Sequence, residues 1–352
     1  MKKVGVITFS KSINPGAFLQ AYALQQVLKK NKYDASLIDY QNSIDKKRYS
    51  VISTKTIKAL FGSMFYLPLE LSRKHNFSRA QKNLTYTTLE DNYDVAIAGS
   101  DQIWNPTLFD GQLDEKYFLD GIKATKKISY AASVANESII NRYENDFRKN
   151  LKKLNHISVR EEAAKKKLEK LVNTPIQVTI DPVLLLNEDE WAASIKHKKI
   201  IEEPYVFTYF VGGISKKEIA PLSNVCEKLG MKCVSYSKRP LEKHIFAHAY
   251  NDGPFDFLAK LRDSQLVLTS SFHGVAFSII FRKKFYYFLP RQGRRSRIDN
   301  ILNLLGLTNR IIETENDISR INLEDIKYEK VQERLEKERN RSLKWLINAI
   351  ED

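Results

Sequence analysis

The sequence predicts an α/β protein of two doubly wound, Rossmann-like domains followed by a C-terminal helix. Three observations carry that reading. Strand-like and helix-like patterns alternate from the first residues, a length of 352 residues suits two domains, and loops of small and polar residues recur where the strands end. Residues 1–186 form the expected first domain, with a basic and apolar insertion at 46–82; residues 187–322 form the second, and 323–352 the helix.

The opening unit is clear. Lys3 to Phe9 is apolar and β-branched, SKSINPG is a turn-rich loop, and AFLQAYALQQVLKK spaces Phe18, Tyr22, Leu24 and Leu28 helically before ending in lysines. Further strands are expected at 35–40, 94–98, 127–133, 157–159 and 177–180, with helices at about 139–154 and 162–172. After the DPVLLL segment a second series follows. Strands are expected at 205–210, 232–236, 265–268 and 285–288, and helices at 216–229, 254–262 and 274–281. The tail is a charged helix whose apolar side carries Val331, Leu335, Leu343, Leu346, Ile347 and Ile350, so it must dock on the body or on a partner.

With 57 Lys and Arg against 42 Asp and Glu, the chain carries +15. Residues 46–82 hold +8 and residues 282–297, RKKFYYFLPRQGRRSR, hold +7, which leaves the remainder neutral. A composition of 43% hydrophobic and 11% aromatic residues excludes disordered, collagenous and low-complexity classes. No apolar run approaches the roughly 18 to 20 residues that span a bilayer. The apolar stretch at the start is too short for a signal peptide, so a cytoplasmic location is expected. Cys226 and Cys233 make neither a disulfide framework nor a zinc pattern and read as core residues flanking a helix-to-strand turn. No metal-ligand spacing appears, and metal independence is expected.

Two α/β domains facing across a cleft bind ligands at the carboxyl ends of their strands. Five loops are therefore candidates. NPG at 14–16, with Asn14, is either an anion site at a helix start or a plain turn; it is neither a dinucleotide fingerprint nor a Walker loop. GSDQIWNP at 99–106 offers Asp101, Gln102, Trp104 and Asn105 as a polar and aromatic surface for a sugar, or is a structural turn around a core tryptophan. SVREE at 158–162 puts Arg160 between strand and helix, suited to a carboxylate or phosphate or to an ion pair. DPV at 181–183 reads as a capped turn. Strongest is LVLTSSFHGVAFSIIF at 266–281, where Ser270, Ser271 and His273 stand at a strand-turn-helix junction. Of the six histidines only His273 has that setting, and imidazole exchanges protons near neutral pH.

These loops in this order resemble the polysaccharide pyruvyl transferase family: the NPG loop, GSDQIWNP, SYAASV, SVREE, DPVLLL, SSFHG and a basic segment near the end, over roughly residues 3–310. Members look like GT-B glycosyltransferases, with phosphoenolpyruvate as donor. The resemblance implies a cyclic pyruvate ketal built on two hydroxyls of a sugar in a bacterial surface glycan, with no cofactor beyond phosphoenolpyruvate as co-substrate. Carried over by motif, Arg160 and His273 are expected to bind the donor and assist catalysis. Asn14, Asp101, Gln102, Trp104 and Asn105 are expected on the acceptor side. Many members read R-L-H where this chain has Ser271, Phe272 and His273, so Arg295 or Arg297 is expected to supply the missing cation. The 46–82 segment reads as a lid or interface, or as a surface for an anionic inner membrane that presents a lipid-linked acceptor. Rival classes are an ordinary GT-B glycosyltransferase using a nucleotide sugar and, more remotely, a nucleic-acid-binding protein. The latter lacks any recognisable binding module.

Overall fold

The apolar run at the start forms β1 (Lys3–Ile7), which pairs in parallel with β2 (Asp34–Ile38) on one side and β4 (Asn92–Ala98) on the other. In this computed structural model the described residues are 1–48, 66–195, 201–211, 216–237, 245–289 and 296–352. With β3 (Tyr86–Thr87), β5 (Lys123–Ala132), β6 (His156–Val159) and β7 (Ile176–Val178), these strands make a parallel sheet in the order β3-β2-β1-β4-β5-β6-β7. The first helix, Pro15–Lys30, starts where Asn14 accepts the Ala17 N–H at 3.1 Å and Pro15 pre-sets the backbone; it ends in Lys29 and Lys30.

The second sheet is also parallel. It comprises β8 (Tyr205–Tyr209), β9 (Lys232–Ser235), β10 (Ile245–His248), β11 (Leu266–Thr269), β12 (Lys284–Phe288) and β13 (Ile311–Ile312), in the order β10-β9-β8-β11-β12-β13. In each sheet the strand order reverses once, between β1 and β4 and between β8 and β11. Adjacent strands there send their following loops in opposite directions, which opens a crevice at their carboxyl ends.

The chain divides into two compact units. The first holds residues 1–48, Gln81–Leu186 and Glu333–Asp352; the second holds residues 66–80 and 187–332. Two segments fall differently from the division at residue 186. Most of the helix Leu67–Gln81, expected with the first domain, belongs to the second unit. The tail helix, Tyr328–Glu351, packs its later part into the first unit. There Ser342 Oγ accepts the Ile180 N–H at 3.1 Å, Arg339 Nε donates to the Leu184 carbonyl at 2.8 Å, and Lys2 Nζ donates to the Ile350 carbonyl at 3.0 Å. Near its start, Tyr328 donates to the Lys283 carbonyl and Gln332 to the Ile279 carbonyl within the second unit. The single helix expected at 139–154 is two, Ser138–Arg142 and Glu144–Leu151, broken at Tyr143. Among the described residues no helix is long and apolar enough to cross a membrane.

Candidate active site

The carboxyl-end loops of the first sheet are laced to one another. Thr8, just past β1, donates to the Ser100 carbonyl at 2.9 Å, and Gln20 bonds both Thr8 Oγ1 and the Ser100 N–H. Gly99 precedes with φ +125°, and a Cβ there would overlap the Tyr130 carbonyl oxygen, so only glycine lets GSDQ lie against β5. Ser133, after β5, donates its N–H to the Asp101 carbonyl at 2.9 Å and its hydroxyl to the Glu161 carboxylate. Arg160, after β6, reaches Ser100 Oγ and Asp181 Oδ2, each at 2.6 Å. Asp181, after β7, also accepts the Val183 N–H at 3.0 Å and so caps the short helical turn that follows. Motif loops far apart in sequence thus form one continuous polar edge.

Several expected roles change in that edge. Trp104 is fully buried: its ring stacks on Phe118 at 4.8 Å and 2°, and its Nε1 donates to the Tyr117 carbonyl at 2.9 Å. No face is left for a sugar ring, and the expectation of an acceptor-stacking tryptophan is corrected to a core residue. Asn105 is also fully buried. It accepts the Thr107 N–H at 3.1 Å, donates to Gln102 Oε1 at 3.0 Å, and caps Pro106–Leu108, so it shapes the turn instead of facing an acceptor. Arg160, expected to meet a donor anion directly, is 3% exposed with its charge matched by Asp181. Its geometry is that of a group holding Ser100 and Asp181 in place. Asp101 has φ +70° and turns its Oδ1 back to the Gln102 N–H at 2.8 Å. Asn14 and Gln102 remain half-buried at this edge.

Asp45 belongs to the same neighbourhood and was invisible in the sequence, inside a segment dominated by lysine and arginine. Ser12 Oγ and Gln41 Nε2 donate to its Oδ2 at 3.1 and 2.9 Å. Burial holds its carboxyl above the usual range, against the pull of those two donors and of Arg48, while the nearby Asp101 carboxylate adds to the rise. Burial likewise pushes the Tyr117 hydroxyl well up.

At the reversal point of the second sheet, β11 runs into the helix Phe272–Ile280, all nine residues of which are buried. Thr269 Oγ1 donates to the Tyr209 carbonyl at 2.6 Å and accepts the Ser271 N–H at 3.0 Å, which fixes the turn. A Cβ at residue 274 would overlap Thr269 Oγ1, and this explains the glycine of SSFHG. Ser270 Oγ accepts the Val211 N–H at 3.1 Å, tying this loop to the one after β8. His273 lies in the first helical turn, 7% exposed, its ring edge-on to Phe272 at 5.4 Å. Val275 N–H donates to the Ser271 carbonyl at 3.1 Å, so Phe272, His273 and Gly274 make up the first turn of the helix. Hydroxyls, an imidazole and a helix start therefore share one strand end, a combination that suits an anion and a proton transfer. Arg295 lies outside the described residues. Arg297 lies in the first turn of the helix Ser296–Leu305, with its side chain outside what is described.

Comparison with solved structures finds the same fold. The UDP-GlcNAc 2-epimerase from Neisseria meningitidis bound to UDP-GlcNAc is 10% identical, with 99% of each chain covered and a TM-score of 0.54. The S. aureus MnaA–UDP co-structure is 12% identical, with 99% of this chain and 95% of that chain covered and a TM-score of 0.55. The likeness is one of architecture: α/β, two parallel sheets, GT-B-like. No curated protein matches the chain. The family model described as polysaccharide pyruvyl transferase matches residues 14–291, a span that takes in the NPG, GSDQIWNP, SVREE, DPV and SSFHG loops. The chain therefore belongs to the polysaccharide pyruvyl transferase family.

Proposed function

We propose that this transferase moves the pyruvyl group of phosphoenolpyruvate onto two hydroxyls of a sugar, forming a cyclic ketal in a capsular, exopolysaccharide or other cell-surface glycan. The observation that carries the reading is His273 in the first turn of the helix that opens from β11, at the strand-order reversal of a chain in this family. In the net reaction the two hydroxyl protons of the sugar leave. One reaches C3 of the enol, which becomes a methyl group, and the other departs with the phosphate as its C2–O bond breaks. C2 then carries both sugar oxygens. His273 as imidazolium supplies the proton to C3 or to the departing phosphate, and the hydroxyls of Ser270 and Ser271 orient the anion.

Phosphoenolpyruvate carries a carboxylate and a phosphate, so a second cationic group is needed. Arg295 or Arg297 is proposed for it, and Arg160 is proposed to act by holding Ser100 and Asp181 in place. Asn14, Asp101 and Gln102 are proposed on the acceptor side. The acceptor is proposed to be lipid-linked, met at the cytoplasmic face of the inner membrane, with no metal and no further cofactor.

The test is incubation of purified protein with phosphoenolpyruvate and candidate saccharides. Phosphate release that requires acceptor, together with a pyruvyl ketal on the acceptor by mass spectrometry, supports the reading. Consumption of a nucleotide sugar with no use of phosphoenolpyruvate replaces it with glycosyl transfer. Arg295→Ala and Arg297→Ala, singly and together, should weaken apparent affinity for phosphoenolpyruvate; unchanged affinity in all three removes both from donor binding.

A further inference from the structure

The helix Leu67–Gln81 has two faces of opposite character. Its inner face is anchored within the second unit. The Arg73 guanidinium sits over the Tyr250 ring at 4.2 Å, with Tyr236 at 5.6 Å and Phe77 at 5.7 Å. Tyr250 donates its hydroxyl to Glu70 at 3.0 Å, Asn76 donates to the Asn251 carbonyl at 2.8 Å, and Asn251 reaches Ser72 at 3.3 Å. The acid of this helix is thus turned inward. Outward, at spacings of three and four, stand Leu71, Lys74, His75, Ser78 and Arg79, with Lys82 one residue past the end, all exposed. Leu71 is 51% exposed, uncommon for a large apolar side chain among the described residues.

We propose that this outer face is the surface by which the enzyme lies on an anionic lipid bilayer. The proposal deepens the membrane partner suggested above and rests on it only for purpose, since binding needs no turnover. A cationic stripe free of acids complements an anionic headgroup plane, and an exposed leucine within the stripe enters the headgroup boundary, where apolar area adds to charge. Nucleic acid fits less well, because no aromatic side chain stands on this face to stack on bases. The aromatic clasp on Arg73 and the side-chain bonds around it keep Leu71, Lys74 and Arg79 fixed to the second unit, so the bilayer holds the unit carrying His273 in one orientation. The sequence suggested that the basic residues 46–82 form a lid, an interface or a surface for an anionic membrane; among the described residues of that segment, this helix face sets Leu71 among Lys74, Arg79 and Lys82.

Co-sedimentation of the full chain with vesicles of phosphatidylglycerol, phosphatidylcholine or their mixture tests it, with a DNA duplex as competitor. Partition should follow phosphatidylglycerol content and fall as salt rises. Lys74→Ala, Arg79→Ala and Lys82→Ala should each lower it about fivefold and all three together about a hundredfold, with Leu71→Ser lowering it further. Turnover of a soluble acceptor should be unchanged in the triple variant, which separates loss of the membrane surface from failure of the pyruvyl transfer reading. Equal partition to both lipids, a triple variant that sediments like wild type, or displacement by duplex at equivalent phosphate overturns the proposal.

Discussion

Arg160 Nη2 stands 2.6 Å from Asp181 Oδ2, and both side chains are closed to solvent. The pair joins the loop after β6 to the loop after β7, while the same nitrogen holds Ser100 in the loop after β4. Breaking a buried pair from one side strands a charge. Arg160→Met should cost about 3–5 kcal/mol. Arg160→Met with Asp181→Asn should recover most of that loss, because asparagine removes the charge and keeps the cap on Val183. Denaturant midpoints of the two variants check this, and a double variant no more stable than the single one assigns the loss to packing.

His273→Ala should lower turnover about 10²- to 10⁴-fold, the usual range for losing a positioned acid or base. Its far-ultraviolet circular dichroism should match wild type, because the helix is fixed by Thr269 and by its other buried residues. Turnover within a few-fold of wild type would remove His273 from the chemistry.

Trp104→Phe should destabilise by about 1–3 kcal/mol, through the lost bond to the Tyr117 carbonyl and the smaller ring. The Michaelis constant for acceptor should not change. A large rise in that constant with unaltered stability would return the tryptophan to the acceptor surface.

Asp252 is pushed up to about 6 by burial, even though Lys260 stands 2.7 Å from its Oδ2 and pulls it down. The folded state therefore holds a proton that the unfolded chain, near 4, has released. Stability from this group is fully present below about pH 4 and is lost as pH rises through 6, on the order of 2 to 3 kcal/mol. Between pH 4 and 7 the unfolding midpoint should fall more steeply with rising pH in wild type than in Asp252→Asn, which lacks this titration. Parallel curves for the two proteins would contradict it.

The central strands were legible because their apolar, β-branched runs are buried on both faces and bounded by turns. Strands β3, β10 and β13 were not, and all three are edge strands of two to four residues, too short for any period to show. The junction at His273 was readable from order alone: apolar strand, small hydroxyl residues, apolar helix. GSDQIWNP misled because composition does not tell which way a loop points. The same tryptophan and asparagine that suit a sugar also suit a core stack and a cap, and the direction was decided by Tyr117, Phe118 and Thr107. Arg160 was placed correctly at its strand end, yet its partner was hidden in DPV, which reads as an ordinary turn. Asp45 gave no signal, since only the folding of β1 and β2 brings Ser12 and Gln41 to it.

The first unit is assembled from three stretches of chain, the last of which is Glu333–Asp352. During synthesis that stretch leaves the ribosome after the whole second unit, seconds to tens of seconds behind the strands it covers. Until then Ile180 lacks its Ser342 partner and Leu184 its Arg339 partner. The portion made first is thus the portion finished last, and a nascent chain halted before Glu333 should carry a closed second unit and an exposed, protease-sensitive first one.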